Sequence, residues 1–180
     1  KYVDVNKDGV YNDADQGIIG CGQPTFNWGW NNTFNYKNFD FSFFVVGFHG
    51  FDIYNATHQM GYNLIKSQQM AGVTPMRELL NRWTPTNTNT DIPGFVKGGT
   101  ENKDFFSTRF VENGSFIKMK SITLGYTLPE ATCRSLGINN LRVYASVQNP
   151  FHITKYSGLD PEATMGSPLV QGVDWGAYPN

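Results

Sequence analysis

The chain has 180 residues and a formal net charge of -1, so it offers no electrostatic attraction for nucleic acid or for anionic lipid. A nucleic-acid partner is therefore not expected. Charged residues make up only 16% of the sequence and aromatic residues 15%, whereas average globular proteins have roughly 25% charged residues. This composition is typical of an exported β-rich protein or of a membrane β-barrel.

A transmembrane helix is not expected anywhere in the chain. The longest apolar run, 43–48, is interrupted by Gly47 and is far below the ~18 to 20 residues that a spanning helix needs. Barrel strands are not excluded, because they are apolar only at alternate positions. The first residues, KYVDVNKDGV, have neither a basic start nor an apolar core, so no signal peptide is expected here. If the protein is exported, we expect the chain to begin downstream of the true start.

Residues 1–24 are rich in Asp, Asn and Gly and are predicted to form a loop that carries a calcium-binding motif. The spacing D-x-N-x-D-G, continued to Asp15, matches the oxygen ligands of an EF-hand loop, and Gly9 permits the sharp turn. Asp15 stands where a longer Glu is usual, so Asp13 is an alternative ligand. The predicted ligands of this structural Ca²⁺ site are Asp4, Asn6, Asp8, Val10, Asp13 and Asp15. The alternative is an Asp/Asn-rich turn that holds no metal.

Alternation of apolar and polar residues predicts that the first two strands form a hairpin. Residues 25–36, TFNWGWNNTFNY, place aromatic side chains on one face and mainly Asn, Gly and Thr on the other. Residues 37–38 form a tight connection, and the same period resumes over 39–48.

Residues 49–114 lose this period and are predicted to form a long loop with helical pieces. Helix-like stretches occur around 63–70 and 76–83, the second preceded by Thr74 and Pro75, which suit a cap and a first helical turn. The polar stretch TPTNTNTDIPG follows as loop. An insertion of this length usually has a function or a partner.

A third strand, 115–128, begins after an Asn-Gly turn signal and ends before a proline. From Ile122 onward its even-numbered residues are apolar and its odd-numbered residues are Ser, Thr or Gly. With regular alternation Lys118 and Lys120 continue the apolar face, and in a membrane barrel they are predicted to reach lipid phosphates at the outer leaflet. A β-bulge near Ser121 would instead turn them to the other face.

A fourth strand, 141–149, is predicted to end at Pro150, with 150–180 as loop. The connections between the four strands alternate between short and long, as do the short periplasmic turns and long extracellular loops of outer-membrane barrels. The alternative is an exported β-sandwich with one decorated loop, which strands of this length also suit.

Five segments, taken in order, resemble the C-terminal end of the SusC/RagA family of TonB-linked outer-membrane proteins from Bacteroidota. They are DVNKDGVYNDADQGIIG, PTFNWGWNNTFNYKNFDFSFFVVG, NRWTPTNTNTDIPG, GSFIKMKSITLGYTLPE and LRVYASVQNPFHITKYSGLDPE, and they run the length of the chain. Five motifs in the family's order are far more specific than any single one.

This resemblance implies an all-β fold, a 22-stranded transmembrane antiparallel barrel with an N-terminal plug and a SusD-like lipoprotein over its extracellular mouth. It also implies TonB-dependent uptake of glycan or peptide fragments at the outer membrane. The chain, 1–180, is expected to supply about four of the last five strands, with extracellular loops at 1–24, 49–114 and 150–180. The plug, the TonB box and the last strand are expected to be missing from it.

Aromatic residues on the strands are predicted to face lipid, because Trp and Tyr favour membrane interfaces. For any single aromatic residue in the long loops, packing within the loop is the favoured interpretation, but as a group these residues are better candidates for contact with a ligand or partner. These are Tyr54, Tyr62, Trp83, Phe95 and Trp175.

Neither a catalytic site nor a disulfide is expected. His49, His58 and His152 lack Cys, Asp or Glu at ligand spacing, and no serine has a nucleophile-elbow context. In the barrel, Cys21 and Cys133 lie on opposite sides of a hydrocarbon core ~25 Å tall, whereas a disulfide needs Cα atoms within about 7 Å.

The sequence therefore favours a non-enzymatic component of an outer-membrane nutrient importer. The alternative is a secreted, calcium-stabilised carbohydrate-binding β-domain. The two differ in whether the apolar faces of the strands meet lipid or a second sheet.

Overall fold

The computed structural model describes residues 3–10, 13–62, 76–92, 94, 107–165 and 171–176. The strands are β1 (Phe26–Tyr36), β2 (Phe39–His49), β3 (Asp52–Asn55), β4 (Val111–Asn113), β5 (Phe116–Thr127), β6 (Arg142–Thr154) and β7 (Val173–Asp174). The α-helices are Ala56–Tyr62 and Glu130–Ser135, and the 3-10 helices are Asp13–Asp15, Arg77–Asn81, Thr108–Phe110 and Pro161–Met165. None of the helices in the described ranges is long and apolar enough to cross a membrane.

Four long strands form an antiparallel sheet in the order β1-β2-β5-β6, here called the large sheet. A two-residue turn joins β1 to β2, and Lys37 in this turn has a φ of 53°. The helix Glu130–Ser135 lies in the link between β5 and β6. Because both short links lie at one end, all the long connections leave the sheet at the other end.

The pairing register gives the large sheet two unlike faces. One, here called the apolar face, carries mostly aromatic and aliphatic side chains, and many of these are exposed, such as Phe34 at 54%, Leu124 at 50% and Ile153 at 64%. The other, here called the polar face, carries mainly Asn, Ser, Thr and Gln. The apolar face includes Trp28, Trp30, Phe34, Phe41, Phe43, Ile117, Met119, Ile122, Leu124, Val143, Val147, Phe151 and Ile153.

A β-bulge interrupts this alternation in β5. Phe44 of β2 pairs with Ser121, but the next residue, Val45, pairs with Met119, so Lys120 is an extra residue. A bulge restarts the alternation on the opposite side of the strand. Ile117 and Met119 therefore join the apolar face of the residues that follow the bulge.

The prediction from regular alternation that Lys118 and Lys120 face lipid is therefore wrong. Lys118 lies on the polar face opposite Val46, and only 3% of the residue is exposed. The bulge near Ser121, which the sequence left open as the alternative, is present.

A second bulge lies beside the first, in β6. Met119 pairs with Phe151 and Ser121 pairs with Gln148, which leaves Asn149 and Pro150 opposite Lys120. The prediction that Pro150 ends the fourth strand is wrong, since β6 continues to Thr154. A bulge tolerates proline because its residues do not all donate N–H groups to the ladder.

Three short strands form a second sheet in the order β4-β3-β7, here called the small sheet. β3 is antiparallel to β4 and parallel to β7, so two of the long connections contribute strands to it. The connection before β1 joins them, because the Asp52 N–H donates to the Cys21 carbonyl at 2.7 Å and the Cys21 N–H donates to Asp52 Oδ2 at 3.1 Å. The segments predicted as separate loops thus meet in one unit.

The small sheet packs against the polar face of the large sheet, at the end where the long connections leave. Val46 and Phe116 from the large sheet form a buried cluster with Phe51, Ile53 and Tyr156. Within the described ranges, neither sheet covers the apolar face.

The predicted helix over 76–83 is a short 3-10 helix, Arg77–Asn81, and Met76 before it makes no side-chain cap hydrogen bond. The predicted helix around 63–70, and the cap residues Thr74 and Pro75, lie outside the described residues. Both cysteines are free, Cys21 exposed and Cys133 buried in the helix of the short link.

Candidate functional site

The long connections meet above the polar face of the large sheet, and side chains with charge or hydrogen-bonding capacity concentrate there. These side chains form three groups. They are the lysine cluster around Lys118, the network around Glu112, and the Tyr156–Asp174 pair.

The lysine cluster joins β5 to the 3-10 helix Pro161–Met165. Lys118 Nζ donates to Asp160 Oδ2 at 2.6 Å and to Glu162 Oε2 at 2.8 Å, and Lys120 Nζ donates to Glu162 Oε1. The Lys118 and Asp160 side chains are 4% and 6% exposed. Burying charge is costly unless it is paired, and here two cations meet two anions.

Acid should weaken this cluster. Burial disfavours the charged form of Glu162, but hydrogen bonds from Lys118 and Lys120 outweigh it and lower the pKa of this carboxyl. A carboxyl whose pKa is lower in the folded than in the unfolded protein stabilises the fold when it is ionised. This stabilisation is complete above the unfolded pKa, about 4.3, and is lost as the pH falls through the folded pKa. The free energy of unfolding of the wild type should therefore exceed that of Glu162→Gln by its maximum amount above about pH 5, and this difference should decrease below about pH 4. Thermal unfolding across this range measures it, and a difference that stays constant down to about pH 3 would contradict it.

The network around Glu112 holds β3, β4 and the residues after β6 together. Glu112 accepts from the Ser157 N–H at 2.8 Å, from the Ser157 hydroxyl at 2.7 Å and from Asn55 Nδ2 at 3.0 Å. Asn55 Oδ1 in turn accepts from the His58 N–H at 2.8 Å, which caps the helix Ala56–Tyr62. Glu112 thereby ties together three segments that are far apart in sequence.

His58 lies between two carboxylates, and within the described ranges it is the one histidine so placed. Its Nε2 lies 3.5 Å from Glu78 and its Nδ1 lies 3.7 Å from Glu112. The ring also packs edge-on against Tyr62 and Phe110. No acidic residue stands at ligand spacing from His58 in the sequence, so local motifs did not indicate these contacts.

Tyr156 and Asp174 form a buried hydrogen-bonded pair between the two sheets. The Tyr156 hydroxyl donates to Asp174 Oδ2 at 2.5 Å, and Asp174 Oδ1 accepts from the Gly176 N–H at 2.7 Å. Burial, together with the Asp174 carboxylate, raises the pKa of Tyr156 well above its usual range, so the hydroxyl stays protonated and donates.

On the polar face near the short links, an ion pair crosses over β5. Arg142 Nη2 contacts Asp40 Oδ2 at 2.5 Å although their strands are not neighbours. Gly125 lies between them, and a Cβ there would collide with both side chains.

The predicted calcium loop folds into local turns in which its carboxylates accept backbone N–H groups. Asp4 accepts from the Lys7 and Gly9 N–H groups at 2.6 and 2.8 Å, and Asp15 Oδ1 accepts from the Val5 N–H at 2.8 Å. No three His, Cys, Asp or Glu side chains in the described ranges are placed to hold a metal ion. The oxygen donors nevertheless suit a hard cation, and carboxylate oxygens that accept one N–H keep further lone pairs.

The loop aromatic residues have different surroundings. Tyr54 is buried in a cluster with Ala56 and Phe110, which agrees with packing within the loop and not with ligand contact. Arg109 lies over the Tyr62 ring at 5.2 Å. Trp83 and Trp175 are 47% and 60% exposed, and Phe95 lies outside the described residues.

Comparisons with known proteins show what this arrangement resembles. No family model matches the chain. The chain is 36% identical over 185 residues to TonB-dependent receptor P3 of Formosa agariphila, which covers 99% of this chain and 17% of that protein. It is 32% identical over 180 residues to TonB-dependent receptor SusC of Bacteroides thetaiotaomicron, with 99% and 16% covered. Among solved structures it is similar to the RagAB peptide importer in the closed-closed state, with a TM-score of 0.74, 26% identity, and 94% of this chain and 18% of that chain covered.

The curated relatives are TonB-dependent receptors by name, and their identity over nearly the whole chain places this chain in the same class. The chain spans about a sixth of the length of these relatives. Within this class the chain belongs to the SusC/RagA family, which confirms the resemblance drawn from its five motifs.

Proposed function

We propose that this chain is part of the wall and of the extracellular loops of an outer-membrane importer, which takes up nutrients in TonB-dependent fashion. The apolar face of the large sheet meets lipid and the polar face lines the barrel interior. The small sheet lies at the extracellular mouth, and the short links lie at the periplasmic side.

The uncovered apolar face is the observation that carries this proposal. Contiguous exposed apolar surface of this extent on a folded sheet marks contact with lipid or with another protein. In the alternative, a secreted β-domain, a second sheet would have to cover the apolar face. The small sheet packs instead on the polar face. The names of the curated relatives, which are receptors, also favour transport over catalysis.

The dimensions of the large sheet agree with a bilayer-spanning wall. β1 and β2 have 11 residues each. At ~3.3 Å per residue such a strand is about 36 Å long, and a tilt of roughly 45° reduces its height to about 25 Å. Interfacial aromatic residues are expected at the end of the sheet with the short links, and this end carries Tyr36, Phe39 and Tyr126. Lys37 Nζ lies 5.5 Å from the centre of the Tyr36 ring.

Single-cysteine labelling of the whole protein in intact membranes tests the proposal. In a background without Cys21 and Cys133, cysteines at four apolar-face positions should react with a lipid-dissolved probe and be shielded from a water-soluble one. The positions are Trp28, Phe41, Leu124 and Val143.

Cysteines at Asn31 and Ser146 on the polar face are the matched controls. They should not react with the lipid-dissolved probe. If the four apolar-face cysteines react with the aqueous reagent, or are protected from both reagents as in a packed core, the lipid-facing assignment fails.

The proposal extends to partners and substrate. We propose that a SusD-like surface lipoprotein covers the extracellular mouth, that TonB supplies the energy through another part of the protein, and that the cargo is a glycan or peptide fragment. The support is the similarity to SusC and to a structure described as a peptide importer. Exposed Trp83 and Trp175 are the described loop aromatic residues best suited to such contacts.

We further propose that the loop from Asp4 to Asp15 binds Ca²⁺ as a structural ion. Asp8→Ala removes one of the predicted carboxylate ligands, and should make the first loop more sensitive to protease while leaving membrane insertion unchanged. Proteolysis of the wild type with and without a chelator measures the effect. Equal cleavage in both conditions would remove the calcium proposal.

A further inference from the structure

The two β-bulges lie at the same level of the large sheet, and together they decide the direction of two lysines. Lys120 is the extra residue of β5 relative to β2, and Asn149 and Pro150 stand opposite it in β6. Asn149 has a φ of 49°, a left-handed conformation that Asn tolerates better than most residues. Without the bulge in β5, Lys118 would lie on the apolar face.

The two most buried members of the lysine cluster come from different parts of the fold and meet where these parts are in contact. Lys118 belongs to the large sheet and Asp160 belongs to the connection after β6, and the residues are 3% and 5% exposed. Asp160 also organises its own segment, because its Oδ1 accepts from the Glu162 N–H at 3.0 Å. Removal of Asp160 would leave the buried Lys118 with Glu162 in place of two carboxylate partners, and removal of Lys118 would leave the buried Asp160 without its cation. Either loss is far more costly than the loss of an exposed ion pair.

Two backbone hydrogen bonds connect the segment that carries Asp160 and Glu162 to the small sheet. Within the 3-10 helix Pro161–Met165, the Thr164 carbonyl accepts from the Gly172 N–H at 3.2 Å. The Gly172 carbonyl then accepts from the Tyr54 N–H of β3 at 2.7 Å. Gly172 has a φ of 77°, and it lies so close to Gly22 that a Cβ would collide with the backbone.

We propose that Lys118, Lys120, Asp160 and Glu162 form an electrostatic latch that fastens residues 157–165 to the large sheet and, through Gly172, makes the small sheet a fixed part of that wall. The paired bulges position the latch by turning the lysines onto the polar face. The inference rests on the geometry of these residues alone, so it stands or fails separately from the proposed transport function.

Hydrogen exchange of the whole protein in detergent micelles tests the latch. Asp160→Asn should raise exchange by roughly 100-fold in 161–165, 171–174 and 52–55, because the buried Lys118 ammonium loses the more buried of its two carboxylate partners. Exchange in β1 and in the β1–β2 turn should stay as in the wild type. The matched control is Glu130→Gln, which breaks an ion pair with Arg134 whose side chains are 84% and 81% exposed, and it should change none of these segments.

Glu162→Gln is the milder second variant, and it decides the question if Asp160→Asn does not fold. It keeps the shape of the side chain but removes the charge shared by Lys118 and Lys120, and should raise exchange in the same three segments by roughly 10-fold. Wild-type exchange in those segments in the folded variants would overturn the latch. An equal rise across β1 and β2 would also overturn it, because the cluster would then stabilise the whole wall rather than fasten the loops.

Discussion

Arginine in place of Leu124 should lower the free energy of unfolding of the membrane-inserted protein by about 2 to 4 kcal/mol if the residue lies near the bilayer midplane, and by less toward either interface. Leu124 lies on the apolar face between Phe41 and Ala145, and half of it is exposed. In a lipid-facing position this change places a charge in hydrocarbon. Denaturant unfolding of the whole protein in lipid vesicles measures the loss.

Thr123→Arg is the matched control for this prediction. Thr123 is the neighbouring residue on the polar face, and its hydroxyl forms a 2.9 Å hydrogen bond with the hydroxyl of Ser146. Its replacement should cost about 1 kcal/mol for that hydrogen bond and little more, since the barrel interior holds water or polar protein surface. Equal losses for Leu124→Arg and Thr123→Arg would contradict a wall with one lipid face and one wet face.

Phe116→Ala should destabilise the junction between the two sheets by about 3 to 5 kcal/mol, the usual cost of truncating a buried phenylalanine. Phe116 is 2% exposed, and its ring stacks on Phe48 at 5.1 Å and meets Phe51 edge-on at 6.3 Å. The truncation would leave a cavity between the polar face and the small sheet. Hydrogen exchange of 51–55 should report the loss.

Phe151→Ala provides the comparison on the other face. Phe151 lies on the apolar face opposite Met119 and is 51% exposed. Because lipid can fill the space left by its ring, this change should cost clearly less and should leave exchange of 51–55 unchanged. If Phe151→Ala destabilises the junction as strongly as Phe116→Ala, the small sheet does not pack where the structure places it.

Alternation in the sequence determines a good part of the large sheet. In 25–36 and in 39–43 apolar and polar residues alternate with little interruption, and β1 and β2 have a register that keeps these faces intact. In such strands one pairing register keeps the apolar residues together on one face, because a slip by one residue would exchange the two faces. For the same reason the apolar face of β5 could be assigned correctly from Ile122 onward.

The motif of the predicted calcium loop is compatible with two local structures. The motif at Asp4 specifies residue types and spacing, and the structure shows local turns in which Asp4 and Asp8 accept backbone N–H groups. The same residues suit a metal site and an Asx turn, since both use carboxylate oxygens at short spacing.

Only the tertiary structure decided how the long connections are used. β3, β4 and β7 have four, three and two residues, too few for a period of two to be visible in the sequence. Lys118 and Asp160 are separated by 42 residues, and Glu112 and Ser157 by 45, so no local pattern indicates that either pair meets.

The sequence by itself determined the family, the four long strands and the two faces of most of the large sheet, because these depend on motifs and on a period that is local. The fold decided the bulges at Lys120 and Asn149, the continuation of β6 past Pro150, and the inward direction of Lys118. The physical reason is that one extra residue reverses every side chain beyond it. The reversal buries the charge of Lys118 in this fold, and the distant Asp160 compensates that charge.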